Sequence, residues 1–432
     1  MTTHENRLAA AVTALQDGER TPTEYAESCL NRLEAVETDI QAFLGEENRA
    51  SRVRDEASAL ETAHRDTDSK PALYGVPVGV KDIFHIDGLP TRAGSDLPPE
   101  ALAGPQADAV TALLDAGAIP LGKTVTTEFA YFAPGPTRNP HDLDHTPGGS
   151  SSGSAAAVAA GEVPLALGSQ TIGSIVRPAS YCGVVGVKPS YDRVSLDGVL
   201  PLSPAGDHVG YFTQDAAGAR LAAEVLCSEW EGPDGPPERP VVGVPHENYL
   251  DQADDAMLDA FEDTLDDLRA AGYEVRETAA LANIDAVNER HQDMVAAEAA
   301  LEHGPLYAAY GDRYAEGTVE LLEDGREVGV GDLVDARNGR LDLRAALDDA
   351  MDDQGVDVWV SPAAPGPAPE GINDTGDPVM NLPWTHAGLP TVGLPAGTVD
   401  GLPVGVQFAA RFGADEQLLA WADDLETAAN AR

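Results

Sequence analysis

Residues 145–191 read HTPGGSSSGSAAAVAAGEVPLALGSQTIGSIVRPASYCGVVGVKPSY, and the reading of this stretch decides the fold. Glycine, serine and small apolar residues crowd it, whereas acids crowd the rest of the chain. Two serine loops, 148–153 and 168–174, flank an alanine-rich run and a short apolar run. The first run, 154–160, predicts a helix with Gly161 just past its end. The second, 163–167, predicts a strand. Glycines at this density let the backbone turn tightly and approach a ligand closely.

On the N-terminal side, 74–82 reads YGVPVGVKD. A short β-branched run ending on Lys81 predicts a buried strand that delivers one lysine at its end. A helix over 108–114, stopped at Gly117, and a strand over 118–123 follow. This strand–helix–strand order predicts a parallel or mixed sheet with helical cover. Earlier still, Thr21-Pro22-Thr23-Glu24 is a capping box with proline at the first helical position. Residues 1–70 predict a helical N-terminal layer.

On the C-terminal side, strands are expected over 182–187, 240–244, 273–275 and 358–360, and short strands within 389–408. Helices are expected over 213–226, 254–271, most of 280–352, and 418–425. A Pro/Gly-rich connection over 231–237 divides a core, 71–228, from an acidic second half, 238–432. The expected fold is a single α/β domain over 1–432, with a central mixed twisted sheet covered by helices on both sides.

The 432 residues carry a formal charge of −46, and the charge has an address. Residues 76–212 hold 13 acids and 7 bases, a net of −6, so −40 lies elsewhere. The acids thus decorate the outside and spare the motif-rich core. Lysine is nearly absent, with four against 23 arginines. Excess surface carboxylate with little lysine suits a halophilic protein, whose self-repulsion is screened by molar salt. Disorder, the other common reading of high charge, fails because apolar residues are plentiful and periodic. Direct binding to nucleic-acid phosphates needs a basic surface, so no nucleic-acid partner is expected. No apolar run spans a bilayer. The N-terminus lacks a basic region followed by an apolar stretch, so no signal peptide is expected. Cys29, Cys182 and Cys227 form neither a metal-type pair nor a disulfide framework. A cytoplasmic protein with buried thiols and no metal is expected.

Two positions stand out for chemistry. In a chain that otherwise replaces lysine by arginine, Lys81 is conspicuous, because arginine never deprotonates and cannot act as a base. Burial at a strand end lowers a lysine's pKa from its usual ~10.4. Ser174, after Gly173 in a loop following a strand, is a candidate nucleophile. Such a serine needs a base and oxyanion donors, and the backbone N–H groups of Thr171, Ile172 and Gly173 are placed to supply the donors. The competing serine is Ser151, since Gly149-Ser150-Ser151-Ser152-Gly153 formally matches a nucleophile elbow. That elbow should follow an apolar strand, whereas His145-Thr146-Pro147-Gly148 precedes it here. A phosphate-binding P-loop is excluded, because no Gly-Lys-Ser/Thr closes the run.

Gly79-Val80-Lys81-Asp82, the 147–154 run PGGSSSGS and the 168–179 run resemble the amidase signature family, in order. The likeness extends over 74–212 and resumes at 361–365, 375–378, 381–385 and 401–407. The resemblance implies a Ser–cisSer–Lys triad: Ser174 as nucleophile, Ser150 as the bridging serine after a cis peptide, and Lys81 as base. It implies an oxyanion hole at Thr171, Ile172 and Gly173, an acyl-enzyme, a small-molecule amide substrate and no cofactor. Homodimers are common in the family. The chain departs from the broad family at Gln170, where Asp is usual, and at Val176, where Arg is usual. Gln170 with Arg177 is instead similar to the malonamidase-like branch, whose matching arginine binds a substrate carboxylate; a guanidinium fork suits that task. Arg177 paired with an internal acid is the equal alternative. Ser151 is expected beside the relay and the substrate, and bulky Ile172 is expected to narrow the pocket. The expected function is a small-amide amidase. The alternatives are the glutaminase component of a tRNA-dependent Asp/Glu amidotransferase, which would need partner chains, and an inactive paralogue acting as a binding protein.

Overall fold

A computed structural model gives the structure of the protein and describes residues 7–65, 69–232 and 237–430. Residues 1–6 and the centre of the expected 231–237 connection lie outside the described residues. Ten strands form one mixed sheet: β1 (Pro77–Lys81), β2 (Ile119–Thr124), β3 (Leu165–Gln170), β4 (Val185–Lys188), β5 (His208–Thr213), β6 (Val242–Val244), β7 (Val275–Glu277), β8 (Val358–Pro362), β9 (Thr391–Val399) and β10 (Leu402–Ala409). Their order is β2-β1-β3-β5-β4-β9-β10-β8-β6-β7. The sheet therefore runs without a break from the motif-rich core into the acidic half, through the antiparallel β4/β9 pair.

The register explains why Lys81 meets the serine loops. β1 pairs in parallel with both β2 and β3, with Lys81 opposite Thr124 and Val80 opposite Leu167. Parallel neighbours end at the same sheet edge, and chemistry gathers there in open α/β sheets. Lys81 and the loop after Gln170 thus emerge side by side. Between β2 and β3 the chain passes through the serine run and the helix Ser152–Ala159. Residues 152–158 of that helix are all buried. Its close approach depends on Gly153, where a Cβ would stand 2.2 Å from the Ala42 carbonyl and 2.4 Å from the Val125 nitrogen.

Several expected elements shift. The helix expected over 154–160 begins at Ser152, and the strand expected over 163–167 spans 165–170, so Ser169 and Gln170 lie in β3 rather than in a loop. The strand expected from 182 begins at Val185, because a helix, Val176–Cys182, comes first. Pro178 sits in that helix's first turn, where proline removes no needed hydrogen bond. The expected helix over 213–226 begins at Ala216, capped by Asp215 accepting from the Gly218 N–H, and β5 precedes it. The capping box at Thr21 is present, with Thr21 and Glu24 bonding each other's backbone. The expected short strands within 389–408 are two long ones, β9 and β10, paired antiparallel.

The second half closes on the sheet through large buried side chains. Trp359, Trp384 and Phe408 are almost fully buried. Burying each contributes roughly 1.5–3 kcal/mol. A polar network threads between them. The Tyr249 hydroxyl donates to Ser361 or to the Met380 carbonyl and accepts from Trp384 Nε1 at 3.0 Å. Asn381 Nδ2 donates to the Ala363 carbonyl and to Gln407 Oε1. This fixes the segment 381–386, which packs against the 171–174 loop.

Candidate active site

Lys81 is fully buried at the end of β1. Its Nζ lies 2.8 Å from Ser150 Oγ, 2.9 Å from Ser151 Oγ and 2.8 Å from Ser169 Oγ. Desolvation pushes its pKa well below the ordinary value, and the buried carboxylate of Asp207 opposes this only in part. The proton positions of the neutral amine follow from its neighbours. Ser151 donates to the Ser169 carbonyl at 3.1 Å, so its hydrogen is already committed. The hydrogen reaching the amine lone pair must then come from Ser150 or Ser169. The Gly149–Ser150 peptide is cis.

Ser151, expected beside the substrate, is buried and belongs to this hydroxyl cage; it also accepts from the Ser169 N–H at 3.3 Å. Ser169, absent from the residues expected at the site, is the third hydroxyl. Its signal is the continuation of β3 past Leu167, which places Ser169 opposite Val209 of β5.

Ser174 keeps 8% of its surface exposed, whereas Ser150 keeps 1%. Among the described residues no group hydrogen-bonds the Ser174 hydroxyl, so it is free to meet a ligand. The backbone around it is held from behind. Thr171, Ile172 and Gly173 use their carbonyls to accept from His291 Nε2 (3.0 Å), Thr385 Oγ1 (2.7 Å) and the Arg177 N–H (3.1 Å). The N–H groups of Ile172, Gly173 and Ser174 have no acceptor among the described residues. Gly173 is required for space, since a Cβ would lie 2.3 Å from Asn381 Oδ1. Gln170 clamps the loop: Oε1 accepts from the Ile175 and Val176 N–H groups at 2.8 and 3.0 Å, and Nε2 donates to Thr385 Oγ1 at 2.9 Å. Thr171 Oγ1 donates to Asp207 Oδ1 at 2.5 Å. Burial raises Asp207 to about 6, against three hydrogen bonds that favour its charged form.

Arg177 is 1% exposed. Its Nη2 donates to the Gly149 carbonyl at 2.7 Å and to Thr375 Oγ1 at 3.3 Å. Nε and Nη1 are buried without partners. No described carboxylate reaches ion-pairing distance, so the internal-acid alternative does not hold; Asp377 and Asp374 act on it only at longer range. Its guanidinium carbon lies 6.0 Å from the centre of the Phe132 ring. Phe132 also lines a cleft of about 490 Å³, together with Tyr131, Ile172, Asp293, Asp324 and Asp377. Ile172 therefore forms one wall of the cleft. The other buried lysines are structural. Lys123 forms a buried ion pair with Asp82 at 2.8 Å, and Lys188 donates to backbone carbonyls. Among the described residues no acid, His or Cys cluster could hold a metal. No described helix is long and apolar enough to cross a membrane.

A family model described as Amidase matches residues 24–419, and the chain belongs to the amidase signature family. It is an enzyme of the class that hydrolyses amide C–N bonds. A crystal structure of an amidase shares 35% identity, with a TM-score of 0.88 over 98% of this chain and 99% of that one. The peptide amidase of Stenotrophomonas maltophilia shares 25% identity, with a TM-score of 0.84 over 98% and 97% of the two chains. A subunit of the glutamyl-tRNA(Gln) amidotransferase of Koribacter versatilis is 32% identical over 92% of this chain and 93% of its own. The protein of the same name from Akkermansia muciniphila is 33% identical over 84% and 89%. These names correct one expectation. The expected partner was a small amide with no nucleic acid, yet these relatives are subunits named for a tRNA-linked substrate. Net charge describes one chain's own surface and is blind to what the other chains of an assembly bring.

Proposed function

We propose that the chain hydrolyses the side-chain amide of a zwitterionic amino-acid amide, glutamine, and releases ammonia as the glutaminase component of a tRNA-linked amidotransferase. The observation that carries this is the charge arrangement of the cleft. The guanidinium of Arg177, with Nε and Nη1 unpartnered, lies against Phe132 of the cleft, and three carboxylates, Asp293, Asp324 and Asp377, are among the residues that line it. An α-carboxylate suits the first and an α-ammonium the second. Phe132 must move for the carboxylate to reach Arg177.

In the proposed mechanism neutral Lys81 takes the proton of Ser150, Ser150 takes that of Ser174, and Ser174 Oγ attacks the amide carbon. The carbonyl oxygen gains its charge against the N–H groups of the 171–174 loop. The proton returns through Ser150 to the departing nitrogen, ammonia leaves, and water entering by the same route hydrolyses the ester on Ser174. In the present geometry the Ser150–Ser174 link is open; such links tighten when substrate binds.

The second reading is a free-standing amidase acting on small carboxylate-bearing amides, favoured by the Gln170/Arg177 pattern and by likeness to an amidase structure at 35% identity. The carboxylates of the cleft weigh against a substrate that carries only negative charge. The acidic surface further supports activity in molar salt. Ammonia release by the purified chain in molar KCl, compared for glutamine, malonamate and a neutral amide, tests both readings. Turnover of glutamine, with co-purifying subunits from the native source, supports the first. Fast turnover of malonamate by the chain alone supports the second and refutes the first.

A further inference from the structure

A pair of buried imidazoles stands behind the oxyanion loop and has no part in the relay described above. His291 Nε2 lies 3.0 Å from the Thr171 carbonyl, and His291 Nδ1 lies 3.1 Å from His386 Nδ1. Both rings are buried. A carbonyl only accepts, so His291 carries its proton on Nε2 and leaves Nδ1 bare. The short Nδ1···Nδ1 contact then requires His386 to donate from Nδ1. His386 Nε2 is left as a bare lone pair, and it is buried without a partner. Desolvation lowers His291 to about 4 and His386 to about 2, so both rings stay neutral and the arrangement has one consistent set of protons.

We infer that His291, whose bare Nδ1 is satisfied by His386, and Thr385 are positioning residues that polarise the two oxyanion-hole peptides from behind. The Thr171 carbonyl and the Ile172 N–H belong to one amide, as do the Ile172 carbonyl and the Gly173 N–H. In a trans peptide the two groups point in opposite directions. A donor on the carbonyl therefore aims the N–H away from itself and strengthens it as a donor. Gln170 Nε2 donates to Thr385 Oγ1, whose own proton has two carbonyls in reach, Ile172 at 2.7 Å and Asn381 at 3.2 Å, and goes to the nearer, Ile172. This chain of donors assigns Gln170 a task that a carboxylate at the same position could not perform, since a carboxylate has no N–H to give.

The inference rests on Ser174 as nucleophile and on the 171–174 loop as oxyanion hole, and its test has an arm independent of both. Protein labelled with ¹⁵N-histidine and ¹⁵N-isoleucine is compared with His291→Leu and His291→Gln, each checked for an unchanged Tm. The expected spectra show His291 protonated on Nε2 and His386 on Nδ1, and an Ile172 amide proton that moves upfield in His291→Leu and partly returns in His291→Gln. With the best amide or an activated ester, Thr385→Val and His291→Leu lower kcat about tenfold with KM within twofold, less than the 10²–10³ expected for losing a direct oxyanion donor. Thr385→Ser restores the rate. An Ile172 amide unmoved by His291→Leu, or His291 protonated on Nδ1, overturns the inference. A wild-type chain that acylates nowhere defeats the catalytic reading, and the spectra still decide whether His291 polarises the peptide.

Discussion

Lys81 Nζ lies 2.8 Å from Ser150 Oγ, and both residues are sealed from water. A charged ammonium there would be costly, and desolvation holds the group neutral far below the usual lysine range. The proposed relay needs that neutral form. Activity is therefore expected to rise as pH rises through the lowered Lys81 pKa, well under ~10.4. Lys81→Met, which removes the base and puts no charge in the buried site, should cut kcat on the order of 10³-fold or more while leaving a folded protein. A pH–rate profile and a thermal melt of the variant check this.

Burial lowers that pKa, and Asp207 opposes the fall. Its charge raises the Lys81 pKa, so removing the charge lowers it further. Asp207→Asn can keep an acceptor for the Leu202 and Ser203 N–H groups and turn its NH₂ toward Thr171 Oγ1. The ascending limb of the pH–kcat profile should then move to lower pH. An unmoved limb would mean that Asp207 does not influence the base.

In the proposed function Arg177 meets the substrate's carboxylate and the cleft carboxylates meet its ammonium. Arg177→Ala should raise KM for glutamine more than for a neutral amide, by about tenfold or more for the ratio. Asp377→Asn should weaken glutamine and improve malonamate. Ile172→Ala, which opens one wall, should admit larger neutral amides. Equal effects on charged and neutral substrates would remove the assigned roles.

Salt should decide stability. With −40 of the charge outside residues 76–212, self-repulsion grows as screening falls. The melting temperature should climb steeply from low salt to molar KCl. A Tm insensitive to KCl would show that the acids are paired rather than repelling.

What the sequence displayed depended on whether a residue's role was local. Lys81 was legible because lysine is scarce and a β-branched run ends on it. The 168–174 loop was legible from its glycines. Ser169 was hidden because β3 runs three residues past its apolar part, so a strand residue looked like loop. Arg177 could be named but not placed, because the short helix 176–182 has no N-cap side-chain bond and is too short for a clear periodicity, leaving only the left-handed Gly183 past its end as a signal. The roles of Asp207, His291 and Thr385 were invisible for a different reason, although Thr385 lies in the 381–385 motif. They reach the loop from 36, 120 and 213 residues away along the chain, through sheet register and buried networks that no spacing encodes.

The most direct test of the central claim, that Ser174 is the nucleophile driven through Ser150 by Lys81, is mass spectrometry of the protein quenched during reaction with an activated acyl donor. The account predicts one acyl group on the peptide carrying Ser174, absent in Ser174→Ala and formed far more slowly in Lys81→Met. An acyl group on Ser150 or Ser151 instead, or unchanged labelling in Lys81→Met, would contradict it.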